Sequence, residues 1–127
     1  MPRLYVVCEG QTEESFVNNL LTAHFATWSV EAIPLVLPSK LGATARHQKG
    51  GWTSYSKARH FIRLTMEQMH SADTWFTTMF DLYALPRDFP EAPVNVATSP
   101  SQRVEALEAA FKADICTDAL WRFTPYM

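Results

Sequence analysis

Three short apolar runs constrain this chain more than any other feature: LYVVC at Leu4–Cys8, EAIPLVL at Glu31–Leu37 and TWFTTMF at Thr74–Phe80. Each has the length and the β-branched or aromatic content of a buried strand. The stretches between them carry helical periodicity. Thr12 is a candidate N-cap, and Phe16, Leu20 and Ala23, with Val17, Leu21 and His24, predict a helix to about Ala26. A second helix is predicted from about Thr53 to Met69, with Tyr55, Ala58, Ile62, Met66 and Met69 on its inner side. Ser99-Pro100 supplies an N-cap and an N1 proline for a third, running through Val104, Leu107 and Phe111 to Ile115, and Trp121–Met127 reads as a further extended segment. The order β-α-β-α-β-α-β calls for an α/β fold with a mainly parallel sheet and helices on its faces. A length of 127 residues fits one domain over 1–127. Pro34 suits an edge position in the second strand, and Pro86, Pro90 and Pro93 make the segment after the third a stiff loop.

Two of these strands run straight into an acid. Glu9 follows the first and Asp81 the third. In a parallel sheet the carboxyl ends of all strands share one edge, where α/β folds bind ligands. Two carboxylates brought together there repel unless a proton or a cation lies between them. Oxygen ligands of this kind suit Mg²⁺ or Mn²⁺, which are held by one or two carboxylates with waters and phosphate oxygens. The blander reading of Glu9 stays open beside this one: a strand-end residue at the Gly10 turn. Asp81 also reads as the start of the proline-rich loop, and Glu13 and Glu14 as first-turn partners of the helix dipole.

The net charge of −2 conceals a segregation. From Ala32 to Met66 there is no Asp or Glu, while Lys40, Arg46, Lys49, Lys57, Arg59, Arg63, His47 and His60 all fall there. Such a stretch either binds an anion, phosphate foremost, or is a solvated face. Trp52 is a candidate for stacking on a base, whereas Tyr55 belongs to the core face of its helix.

Several classes are excluded or disfavoured. No apolar run approaches the roughly 18–20 residues of a membrane span. Leu4–Cys8 is too short for a signal-peptide core. Cys8 and Cys116 form neither a disulfide framework nor a metal-ligand spacing, which points to a reducing cytoplasm. The four histidines lack zinc-site spacing, and no GxxxxGK[ST] or GxGxxG loop is present.

VCEGQTEESFV near the start, TTMFDLYALPRDFP after the third strand, and SPSQRVEALEAAF followed by RFTPY resemble an uncharacterised bacterial group, domain of unknown function 4276, over nearly the whole chain. That group is placed with Toprim-like proteins such as the nuclease part of the OLD-type proteins, so the resemblance implies a three-layer, Rossmann-like Toprim domain. It further implies Mg²⁺ or Mn²⁺ as cofactor and phosphodiester chemistry. Glu9 matches the Toprim glutamate, a metal ligand and acid–base group, and Asp81 matches the first Asp of the Asp-x-Asp motif. Glu13 matches the second acid of EGxTE and is a further candidate ligand. Two departures stand out. Tyr83 replaces the second Asp of that motif, and the chain stops at Met127, short of a strand and helix with further acids; the resemblance thus implies a domain truncated at its carboxyl end.

The leading expectation is a divalent-metal-dependent nuclease or related phosphodiester-processing enzyme. In it Glu9 and Asp81 are catalytic and metal-binding, Glu13 assists, and Arg46, Lys49, Lys57 and Arg59 contact phosphate. The alternative is a non-catalytic subunit with a degenerate site that binds nucleic acid or docks on an ATPase partner. A third reading is protein–protein interaction through the Phe89–Pro90–Pro93 loop. An open sheet edge at the carboxyl end also invites pairing with a second copy, hence a homodimer.

Overall fold

A computed structural model describes residues 1–38, 54–81, 85–90, 99–117 and 122–127. Its elements are β1 (Arg3–Cys8), α1 (Gln11–Phe16), a π-helical turn (Val17–Leu21), α2 (Thr22–Ala26), β2 (Glu31–Val36), α3 (Tyr55–Gln68), β3 (Thr74–Met79), α4 (Pro100–Ile115) and β4 (Phe123–Thr124). The four strands form one all-parallel sheet in the order β2-β1-β3-β4. The predicted α/β alternation is thus the observed one, and Pro34 does lie on an edge strand.

β1 is the centre. It pairs over its whole length with β2 (Arg3↔Glu31 to Cys8↔Val36) and with β3 (Arg3↔Thr74 to Cys8↔Met79). Its side chains alternate between two cores. Tyr5 and Val7 pack with α3, α4, Phe76 and Phe80, whereas Val6 and Cys8 pack with Val17, Leu21 and Met79 on the other face. Helices therefore cover both faces. The Cys8 thiol, pushed up to about 12 by burial and then by the Glu13 and Glu14 carboxylates, donates to the Val6 carbonyl at 3.3 Å and is a core group.

Local chemistry explains the helix boundaries. At α4, Ser99 Oγ accepts the Gln102 amide at 3.2 Å and Gln102 Oε1 accepts the Ser99 amide at 3.0 Å, a reciprocal cap beside Pro100. At α3 the cap is Ser54, whose Oγ accepts the Lys57 amide at 3.3 Å. The first helix begins at Gln11 with Gly10 as its cap, not Thr12, because Glu13 Oε2 reaches back to the Gly10 amide at 3.2 Å.

The π turn was not foreseen. The Thr22 hydroxyl donates to the Val17 carbonyl five residues back at 2.9 Å and to Ala32 of β2 at 3.3 Å, tying the widened turn to the sheet. An inserted residue rotates the face presented beyond it. Val17 is buried and Leu21 and Phe25 are half-buried, while Phe16 and Leu20, expected on the inner face, stand exposed. Met69 likewise is exposed at the end of α3, and Thr65 takes an inner position there.

β4 is short, but threonine hydroxyls extend its pairing. Thr77 Oγ1 donates to the Thr124 carbonyl at 2.7 Å, and Thr78 Oγ1 both donates to the Tyr126 carbonyl and accepts its amide at 2.9 Å. Among the described residues no helix is long and apolar enough to cross a membrane.

Phe111 of α4, with no solvent exposure, is the hub of the larger core. Its ring stacks on Phe80 at 5.7 Å and meets Phe89, Tyr55 and Phe123 edge-on at 5.1, 5.7 and 5.1 Å. Phe111→Ala should destabilise the protein by about 3–5 kcal/mol in urea unfolding. Trp28→Ala, at a residue 72% exposed, should shift it by no more than about 0.5 kcal/mol. Equal effects of the two would disprove the hub.

Candidate functional site

The sheet order has a direct consequence. The β1-to-β2 connection moves one way across the sheet, and the β2-to-β3 and β3-to-β4 connections move the other, with their helices on the opposite face. The connections leaving β1 and β3 thus diverge and leave a crevice at the carboxyl ends of those two strands, the switch point where such sheets bind ligands. Glu9 and Asp81 are the residues at that point.

The register Cys8↔Met79 places Glu9 beside Phe80, one residue short of Asp81. β3 has ended there, and the Glu9 side chain takes over from the ladder: its Oε1 accepts the Asp81 backbone N–H. Glu9 is buried, 7% exposed. Burial pushes its carboxyl up from 4.5 to about 7; the Asp81 amide pulls it down, and the Glu13 and Asp81 charges add to the rise. A carboxylic acid poised near neutrality results.

A cleft of about 340 Å³ opens beside it, lined by Thr12, Glu13, Phe16, Met79, Phe80 and Asp81. The structure therefore brings all three predicted acids to one place in two layers. Asp81 and Glu13 face the cleft, and Glu9 lies behind, holding the Asp81 backbone. Glu13 does double service, since it also caps Gly10. The polar side chains among its lining residues are two carboxylates and the Thr12 hydroxyl, and the rest of the wall is Phe16, Met79 and Phe80. Such a donor set suits a hard cation sharing its remaining positions with water or phosphate, not zinc. Among the described residues no group of three or more His, Cys, Asp or Glu closes around one point, so no full protein cage for a metal is described.

The predicted phosphate contacts divide. Arg46 and Lys49 lie outside the described residues, as do Trp52 and Tyr83. Lys57 is exposed in the first turn of α3. Because α3 joins the carboxyl end of β2 to the amino end of β3, that turn stands at the same sheet edge as Glu9. Arg59 Nε pairs with Asp114 Oδ2 at 2.8 Å, and the Tyr55 hydroxyl donates to the same oxygen at 2.5 Å, knitting α3 to α4. Tyr55 is buried, as expected of a core residue. Phe89, read as part of a partner-binding loop, is 6% exposed and belongs to the core, packed on Tyr55 and Phe111.

Sequence reasoning missed Thr12 as a wall of the cleft, and Asp114 and Asp88 as partners of α3. An apolar groove of about 510 Å³ adjoins the cleft through the shared residues Phe16 and Met79, running over Leu4, Val6 and Trp75 toward Tyr126.

The family model that matches the chain is described as a domain of unknown function (DUF4276), and the match spans residues 8–127, from the last residue of β1 onward. No curated protein and no solved structure matches the chain.

The Glu9 environment has a consequence for stability. The unfolded carboxyl ionises near 4.5 and the folded one near 7, so the folded state holds the proton more tightly. That contribution is complete below about pH 4.5 and is lost as pH rises through about 7. Between about pH 5 and pH 8 the wild type should lose on the order of 1–3 kcal/mol more unfolding free energy than Glu9→Gln, in which nothing titrates at this position. Parallel pH profiles in urea unfolding would show that the Glu9 carboxyl ionises normally.

Proposed function

We infer that this chain, which belongs to the DUF4276 family, is a divalent-metal-dependent protein acting on phosphodiesters, with nuclease activity as the leading form. The observation that carries the reading is the coupling of Glu9 to Asp81 across the β1/β3 switch point, beside a cleft whose polar side chains all end in oxygen. The resemblance to Toprim-like proteins supports the same assignment, since it matches Glu9 and Asp81 to metal-binding acids.

Asp81 is the principal ligand in this proposal and Glu13 an assisting one, with Mg²⁺ or Mn²⁺ the cations their chemistry suits. Such an ion supplies charge stabilisation to a phosphoryl oxygen and lowers the pKa of a coordinated water. The chain's own residues do the rest. Glu9 holds the Asp81 backbone and, with a pKa of about 7, is matched to exchanging a proton at neutral pH. Lys57 extends from the same sheet edge toward a phosphate backbone, joined in the proposal by Arg46 and Lys49, while Arg59 is engaged by Asp114.

A second reading is favoured by a specific observation. The described residues hold no closed three-ligand group, and Tyr83 stands where a Toprim site has its second Asp. A non-catalytic subunit that binds nucleic acid through the basic segment, alone or beside an ATPase partner, also fits those facts. Its affinity should fall steeply with salt as phosphate neutralisation releases counterions.

Direct titration of Mn²⁺ separates the two. Wild-type protein should bind the ion, Asp81→Ala should weaken binding by at least about tenfold, and Glu9→Gln should retain binding but lose cleavage of a labelled DNA or RNA substrate. Cleavage that persists in Glu9→Gln and in chelator would refute the metal-dependent assignment. Salt-sensitive nucleic-acid binding without Mn²⁺ binding would establish the second reading in its place.

A further inference from the structure

The stretch Leu85–Pro90 contains a contact that neither the cleft nor the core explains. Asp88 lies on the surface, yet both of its carboxylate oxygens are engaged. Oδ1 accepts the Tyr55 amide at 2.7 Å and Oδ2 accepts the Ser56 amide at 3.1 Å. These are the first two amides of α3, donors with no partner inside the helix. Ser54 already serves the next two, its Oγ taking the Lys57 amide and its carbonyl the Ala58 amide at 3.4 Å. The helix thus has its own cap, and Asp88 arrives from a different part of the chain to complete it. Charge-assisted bonds to amides at a helix amino end are among the stronger surface contacts. The two amides, Tyr55 foremost, hold the Asp88 carboxyl below the usual carboxylate range.

Asp88 is followed by Phe89, and Asp81 is preceded by Phe80; both rings rest on the ring of Phe111. The Phe89 amide closes a turn onto the Pro86 carbonyl at 3.1 Å. Asp81 and Asp88 therefore flank two rings that meet on one aromatic side chain. Glu9 holds the Asp81 amide, and Asp88 holds α3.

We propose that Asp88 is a positioning residue for the Asp81 cleft: by fastening Phe89, and through the Phe111 ring Phe80, to the first turn of α3, it holds Asp81 and the turn that carries Lys57 in one fixed arrangement. The proposal rests on the cation reading of the cleft for its functional meaning, but its structural half stands without it. Loss of the Asp88 carboxylate loosens Phe89 on the shared ring, and Asp81, next to Phe80 on the same ring, samples orientations that leave the cleft.

The test compares Asp88→Ala with two controls. Ser99→Ala removes the side-chain cap of a different helix, α4, and sets the effect of lost helix capping alone. Asp81→Ala reports whether the cleft is the cation's site. Mn²⁺ affinity and the exchange rate of the Asp81 amide are measured well below the melting temperature of every variant. Asp88→Ala should weaken Mn²⁺ binding and accelerate Asp81 amide exchange by about tenfold each, the scale of a charge-assisted hydrogen bond. Ser99→Ala, with a comparable drop in melting temperature, should leave both at wild-type values. Asp88→Asn, which keeps one acceptor oxygen, should fall between, and it carries the comparison if the alanine variant does not fold. Wild-type Mn²⁺ affinity and Asp81 exchange in a destabilised Asp88→Ala or Asp88→Asn would overturn the proposal and leave Asp88 a helix cap. If Asp81→Ala binds Mn²⁺ as the wild type does, the cation reading fails instead, and the Asp81 exchange rate alone decides whether Asp88 positions Asp81.

Discussion

Every strand of this protein takes its place from β1, directly or through a neighbour. A six-residue strand that pairs fully on both sides, and is buried on both faces, fixes the register of β2 and β3 at once. A slip of one residue would carry Tyr5 and Val7 into the smaller core and Val6 and Cys8 into the larger. β3 then sets β4, and the two sides of the sheet must be wound in opposite directions. The crevice at the carboxyl ends of β1 and β3 is a product of that winding before it is a product of any particular side chain.

The same strand creates the tension at the site. A residue that continues β1 past Cys8 is buried by default, and Glu9 is a carboxylate. Its burial is offset by the Asp81 amide, which donates to it just past the end of β3. The result is a carboxyl held near neutrality and an aspartate whose backbone is tethered to the neighbouring strand. Around it the aromatic cluster on Phe111 makes the surroundings stiff: the helices α3 and α4, the end of β3 and the return of the loop after it all meet one ring. The cleft is completed from the other face, by Thr12, Glu13 and Phe16 of α1, beside the groove over Leu4, Val6 and Trp75.

The polar contacts of α3 changed the reading of its charges most. Arg59 sits in an acid-free, basic stretch, and from composition it belongs with the phosphate contacts. In the folded chain its Nε pairs with Asp114, 55 residues further on, and the same carboxylate takes the Tyr55 hydroxyl. Asp88, read only as part of a stiff proline-rich loop, turns out to complete the start of that helix. Segregation along a sequence counts charges but is blind to partners that only the fold supplies.

Much was legible beforehand for physical reasons. Strand and helix periods differ, so the α/β alternation could be read directly, and parallel strands sharing one carboxyl edge made Glu9 and Asp81 neighbours in advance. Ser99-Pro100 announced its helix because capping is local chemistry. What the sequence could not contain were the features set by groups meeting at long range. The π turn is tied to the sheet where Thr22 meets the Ala32 carbonyl, and Leu20 within it stands on the surface. The division of the acids into a cleft-facing pair and a buried one depends on where β3 stops relative to Glu9. Local sequence determined the elements and the edge on which the acids lie. The tertiary structure decided which acid is buried, which is exposed and what holds each in place, because burial and hydrogen-bond partners belong to the packed chain and not to any segment of it.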